Sequence, residues 1–122
     1  MKLNCVVTEN EPIAQETLVD YIGLVPGLNI IASCRTAADT LSVLRKNEVD
    51  VLFIDIHMAG VAAFELLRNL QYRPAIVFTT VYAKYPVLTA DIDVVDYLLK
   101  PISIDHFLRA VDKVYQRSEN VG

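Results

Sequence analysis

Cysteine, glycine and unbroken apolar stretches are all scarce in this sequence, and each scarcity removes a class of protein. The two cysteines in 122 residues, Cys5 and Cys34, lie in apolar stretches, where such residues act as small core hydrophobes. They give no zinc spacing, with or without His57 and His106, and nothing that requires an oxidising compartment. The four glycines build neither a G-x-x-x-x-G-K-[ST] nor a G-x-G-x-x-G phosphate loop. No apolar run approaches the roughly 18 residues of a transmembrane span. Met1-Lys2-Leu3 runs into Asn4 and then Thr8-Glu9-Asn10-Glu11, too polar for a signal peptide. Lys and Arg are in the minority, 11 against 15 Asp and Glu for a net charge of −4, which gives no support to nucleic-acid binding. Repeats, low-complexity tracts and Pro/Gly-rich linkers are absent as well. The expectation is a cytoplasmic protein with no membrane association and no nucleic acid on this domain.

What is present is a chain that is 53% hydrophobic and long enough for one domain. It buries about two-thirds of its unfolded surface without a disulfide or metal staple. Short apolar runs at 3–7, 28–32, 51–54, 75–78 and 94–99 are bounded by polar or turn residues, as buried strands should be. Between them apolar residues recur every three or four positions. Ile13, Leu18, Tyr21, Ile22 and Val25 make one face, opened by Pro12 and closed by Pro26-Gly27. Ala38, Leu41 and Leu44 make a second, and Phe64, Leu67 and Leu70 a third. A short fourth pattern runs from Tyr85 to Ala90. Phe107, Val111, Val114 and Tyr115 make the last, with Ser103 as its cap after Pro101. Five β-α units predict an α/β fold, a flavodoxin-like doubly wound five-stranded parallel sheet of order 2-1-3-4-5 with five helices. The units use residues 1–118 and leave 119–122 as a tail or the start of a linker.

In such sheets the ligand site lies beyond the carboxyl ends of the strands. There the sequence places Thr8, Glu9, Asn10 and Glu11 after the first strand, and Asp55 after the third. Thr79 and Thr80 end the fourth strand, and Lys100-Pro101 follows the fifth. A carboxylate ending an apolar strand, further carboxyls beside it, a hydroxyl and an ammonium suit phosphoryl chemistry. An aspartate can carry a phosphoryl group as an acyl phosphate. Mg2+ offsets the charge repulsion, and a lysine pairs with phosphoryl oxygens.

Four segments carry a resemblance: residues 5–12, 53–60, 78–82 and 94–101 (Val94-Val95-Asp96-Tyr97-Leu98-Leu99-Lys100-Pro101). In order and spacing they resemble the receiver domain of bacterial two-component response regulators, most like receivers of LytTR-type regulators. The resemblance implies that Asp55 is the phospho-acceptor, Lys100 the phosphate-pairing lysine, Thr80 the switch hydroxyl and Tyr97 the switch aromatic. It implies a metal site at Glu9, Asn10, Asp55 and the backbone carbonyl of His57. It implies a non-enzymatic acceptor, Mg2+ as cofactor and a sensor histidine kinase as partner, with control of transcription through a downstream domain.

This chain departs from the family where two aspartates are usual, carrying Glu9-Asn10 instead. One formal charge is lost, so Mg2+ binding is expected to be weak and phosphorylation slowed or abolished. Glu11 stands beside the pair, at a position whose side chain in the family usually turns away from the metal. Ala59 replaces a usual proline, and Val81 is larger than the usual alanine. The alternative is therefore a degenerate receiver, a phosphorylation-independent interaction module. A flavodoxin would need a Ser/Thr/Gly-rich loop after the first strand, and haloacid-type phosphotransferases need an aspartate where His57 stands. Finally, His106, Arg109, Lys113 and Arg117 form a basic stripe on the last helix, near Asp91, Asp93 and Asp96. Opposite charges of this kind can match across a twofold axis. Asp93, Asp96, Arg109 and Lys113 are the interface candidates for a homodimer through the fourth helix, fifth strand and fifth helix.

Overall fold

The computed structural model describes residues 2–58, 67–82 and 93–121. Five strands, β1 (Leu3–Thr8), β2 (Leu28–Cys34), β3 (Val51–Asp55), β4 (Ala75–Thr80) and β5 (Val94–Leu99), make one sheet of order β2-β1-β3-β4-β5. All four pairings are parallel. The expected flavodoxin-like sheet is thus present, with four of its strands reaching one or two residues further than their apolar runs. Those added residues include Thr8, Asp55, Thr79 and Thr80, the polar ends that face the site.

Helices α1 (Pro12–Leu24) and α3 (Ile104–Val121) cover one face of the sheet and α2 (Ala37–Lys46) the other. Because strand side chains alternate, Cys5, Val7, Phe53 and Val77 pack with Leu18, Ile22, Phe107 and Val111 on one side. Val6, Leu52, Ile54, Ile76 and Phe78 pack with Leu44 on the other. Every residue of β3 and β4 is buried, as strands covered on both faces require. Cys5 and Cys34 are both buried thiols within these layers.

The helix faces match the 3.6-residue pattern with two shifts. In α1 the inward residues are Ala14, Leu18 and Ile22, at strict four-residue spacing, and Ile13 is left 82% exposed. In α2 the stripe turns by one residue: Ala38 is exposed, and the polar Thr40 is buried with Leu44. The Thr36 hydroxyl caps that helix by accepting the Asp39 amide at 3.1 Å. In α3, Phe107, Val111 and Val114 are buried, and the Ser103 hydroxyl accepts the His106 amide at 3.1 Å.

The described residues therefore contain three helices where five are expected. The one expected at 85–90 lies outside the described residues. The one at 64–70 enters them only at its end, where Leu67 is buried.

Candidate functional site

Parallel strands bring their carboxyl ends to one rim. Register sets Thr8 beside Ile54, Asp55 beside Thr79 and Thr80 beside Leu99. The peptide after Leu99 turns at a cis Lys100-Pro101 bond, and the Lys100 amide donates to the Thr80 carbonyl at 2.7 Å. The lysine side chain thus starts beside β4 and crosses toward β3 and β1. Its ammonium donates to Asp55 Oδ2 at 2.7 Å, Glu9 Oε1 at 2.6 Å and Glu11 Oε1 at 3.0 Å. Only 8% of the lysine side chain is exposed.

The remaining oxygens have partners of their own. Asp55 Oδ1 accepts the His57 amide at 2.8 Å, which closes the turn after β3. Glu9 Oε2 accepts the Thr79 hydroxyl at 3.2 Å. Behind them Thr40 donates to the Thr36 carbonyl at 2.9 Å, so its oxygen, 2.6 Å from Thr8 Oγ1, is the acceptor of the Thr8 hydroxyl.

Burial and charge divide the two inner carboxyls. Burial is the largest influence on Asp55 and would raise its pKa, but the Lys100 hydrogen bond and the His57 amide outweigh it. The carboxyl is held below the usual aspartate range. For Glu9 burial prevails over Lys100, and nearby Asp55 adds repulsion, so its pKa is pushed up to about 7. Burial alone would lower Lys100, but Asp55, Glu9 and Glu11 together hold it above its ordinary value. The site at rest therefore has an ionised aspartate facing a secure ammonium.

Of the residues singled out in the sequence, Asp55, Lys100 and Glu9 meet directly. Thr80 is buried on the same rim, and its hydroxyl accepts the Tyr82 amide at 3.0 Å. Tyr97 stacks on Phe78 with ring centroids 5.8 Å apart and is half-buried in the sheet edge. The His57 ring is exposed and lies edge-on to Tyr82 at 5.3 Å. Asn10 does not join the cluster: it is exposed, and Glu11, expected to turn away, reaches Lys100 instead.

The interface candidates stand apart, on the β5–α3 face. Lys113 donates to Asp96 at 3.1 Å, and Arg117 bonds Asp93, so these opposite charges are already matched within one chain. His106 Nε2 lies 3.7 Å from the same Asp96 oxygen, while Arg109 is exposed. Sequence reasoning missed the bond from Thr79 to Glu9 and the buried Thr8–Thr40 pair. A threonine in register with Asp55, and a second one turn after the helix cap, were the available signals.

The converging donors are carboxylate oxygens, the hard ligands Mg2+ takes, so the chemistry of the set fits that ion. Among the described residues no three His, Cys, Asp or Glu side chains stand as a ready-made metal cluster. Here the carboxylates close on the ammonium.

A family model described as the response regulator receiver domain matches residues 5–112. An uncharacterized response regulatory protein of Shewanella oneidensis is 31% identical over 114 residues, covering 92% of this chain and 48% of that protein. The sensory transduction protein LytR of Staphylococcus haemolyticus is 26% identical over 121 residues, covering 97% of this chain and 47% of its own length. The chain thus spans about half the length of these relatives. The solved response regulatory domain of protein mrkE from Klebsiella pneumoniae superposes with a TM-score of 0.83 at 26% identity, covering 97% of this chain and 99% of that one.

Proposed function

Because the chain belongs to the response regulator receiver domain family, we propose that it accepts a phosphoryl group from a sensor histidine kinase onto Asp55. The observation that carries this reading is the ionised Asp55 carboxylate, ending β3 and 2.7 Å from the buried Lys100 ammonium. A carboxylate oxygen forms the bond to phosphorus as the bond to the kinase imidazole nitrogen breaks. The imidazole leaves with that electron pair and takes up a proton, giving an acyl phosphate. Lys100 then pairs with phosphoryl oxygens in place of some of its present carboxylates. The domain is an acceptor in this scheme rather than a turnover catalyst.

Glu9, Asn10, Asp55 and the His57 backbone carbonyl would hold Mg2+, which would supply positive charge between the carboxylates and the phosphoryl group. With a neutral Asn10 that binding would be weak. Thr80 and Tyr97 carry the switch: the hydroxyl leaves the Tyr82 amide for the phosphoryl group, and the tyrosine ring follows into the sheet edge. That shifts a two-state equilibrium of the surface made by β5 and the fourth helix expected at 85–90, which lies outside the described residues. The face of that fourth helix, β5 and α3 pairs two copies through Asp93, Asp96, Arg109 and Lys113, trading contacts within the chain for contacts across a twofold axis. Replacing Arg109 and Lys113 by glutamate lowers the sedimentation-derived dimer fraction with the fold intact; unchanged sedimentation refutes the interface. In a longer regulator the output is transcription through another domain, in the cytoplasm. No described helix is long and apolar enough to cross a membrane.

The test is intact mass: a small phosphodonor with Mg2+ adds about 80 Da, and Asp55→Asn removes the addition. A second reading, a phosphorylation-independent interaction module, is favoured by the exposed neutral Asn10. It is the outcome if no mass is gained.

A further inference from the structure

Resting on the receiver reading above, we infer that Tyr82 is a positioning residue for the switch hydroxyl: its ring, held edge-on by His57, keeps its own amide on Thr80 until a phosphoryl group draws that hydroxyl away. Asp55 ends β3 in register with Thr79, and Thr80 is the last residue of β4. Beyond each strand the chain folds back on a polar side chain at the strand end. The His57 amide donates to Asp55 Oδ1 at 2.8 Å, and the Tyr82 amide donates to the Thr80 hydroxyl at 3.0 Å. The rings of the same two residues then meet, with centroids 5.3 Å apart and planes at 68°. The residue that fixes the acceptor carboxylate is thus joined to the residue that fixes the switch hydroxyl.

The ring contact has a physical task here. A hydrogen bond from an amide to a hydroxyl two residues back is local, and water competes for it where the chain is exposed. Tyr82 is 56% exposed and the His57 ring is exposed too, so burial does little to hold either. An edge-to-face aromatic pair adds an attraction of its own, beyond the area it covers. The turn after β3 gives that pair a firm base. Its Met58 amide donates to the Asp55 carbonyl at 3.0 Å, and the Ile56 amide to the Thr79 carbonyl at 2.9 Å.

Thr80 is anchored on its other side, its carbonyl accepting the Lys100 amide at 2.7 Å, so its side chain can turn while its backbone stays. When the hydroxyl turns away, the Tyr82 amide loses its acceptor and the ring contact goes with it. Without that contact the resting hold on Thr80 weakens by about two- to tenfold, the range an aromatic pair supplies. Tyr82 touches no reacting atom in this scheme; it sets how readily Thr80 answers the phosphoryl group.

Solvent exchange of the Tyr82 amide, followed by amide-resolved NMR in the resting, metal-free chain, reads the hold directly. His57→Ala removes the ring and keeps the backbone amide that Asp55 accepts. It should speed that exchange by about two- to tenfold, and His57→Phe, which restores an aromatic edge, should bring it back. In a Thr80→Ala background, where the hydroxyl is gone, His57→Ala should change nothing further. The Ile56 amide should exchange at the wild-type rate in both His57 variants. Unchanged Tyr82 exchange in His57→Ala, or an equal acceleration with and without the Thr80 hydroxyl, overturns the assignment. Acceleration at Ile56 as well marks a loosened sheet and overturns it too. Neither metal nor phosphoryl group enters this measurement, so its failure leaves the receiver reading standing, and that reading is judged by the mass gained on Asp55.

Discussion

Deleting the central ammonium is the most direct test of how this rim is held together. Lys100→Met keeps the length and apolar stem of the side chain and removes its charge. At an effective dielectric of about 20, each attraction to Glu9 and Asp55 at 2.6 and 2.7 Å is worth about 6 kcal/mol before desolvation. Burying the ammonium already forfeits much of that gain, so the pairs add little net stability. Breaking them is another matter. Glu9 is fully buried and Asp55 nearly so, and both would be left facing each other without a counter-charge. Removing one partner of a buried pair costs about 3–5 kcal/mol, a large part of the 5–15 kcal/mol that holds a typical domain folded. The assay is urea unfolding followed by far-UV circular dichroism at pH 8 with chelator, for the wild type, Lys100→Met, Asp55→Asn and the double variant. The double variant should be more stable than Lys100→Met alone, because it buries one charge fewer. The penalty should also shrink by pH 5, where a carboxyl can protonate. A loss below about 1 kcal/mol at pH 8, or a double variant no better than the single one, refutes this reasoning.

Glu9 has a folded-state pKa of about 7 against 4.5 in its ordinary state, so its stabilising contribution is complete below pH 4.5 and lost as pH rises through 7. Without metal the wild type should lose about 3 kcal/mol across that window. Glu9→Gln, still bonded to Lys100 and Thr79, should lose much less, which urea unfolding at pH 5 and pH 8 compares directly. Thr40→Val takes away the acceptor of the buried Thr8 hydroxyl and should cost about 1–3 kcal/mol in the same assay. A side chain at Gly27 would overlap the Tyr115 hydroxyl, so Gly27→Ala should cost about 1–3 kcal/mol. Tyr115→Phe in that background should recover part of the loss, read as a rise in melting temperature.

The sheet could be read from sequence because its signal is redundant. Val51-Leu52-Phe53-Ile54 has no polar residue, and only a strand covered on both faces makes such a run useful. The order β2-β1-β3-β4-β5 is the one expected of a flavodoxin-like sheet, not something the count of units alone could decide. Helix faces were less legible where one residue type does two jobs. Thr40 reads as polar surface, yet it is buried because its hydroxyl bonds both the Thr36 carbonyl and Thr8. Ile13 reads as core, yet α1 turns Ala14 inward and leaves the larger side chain in water. Periodicity finds the face of a helix to within about one residue, and that residue decided both cases.

At the site, residue types were legible and directions were not. Asp55 and Lys100 met as expected because strand ends fix them: one ends β3, and the other follows β5 at a turn bonded to Thr80. Glu9, Asn10 and Glu11 lie in the connection between β1 and α1, where a rotation of one residue exchanges inside and outside. A count of acids by position gives one carboxylate beside Asp55, and a count by direction gives two. Lys100 thus meets three carboxyls, of which Asp55 is held ionised and Glu9 has its pKa pushed up to about 7 by burial.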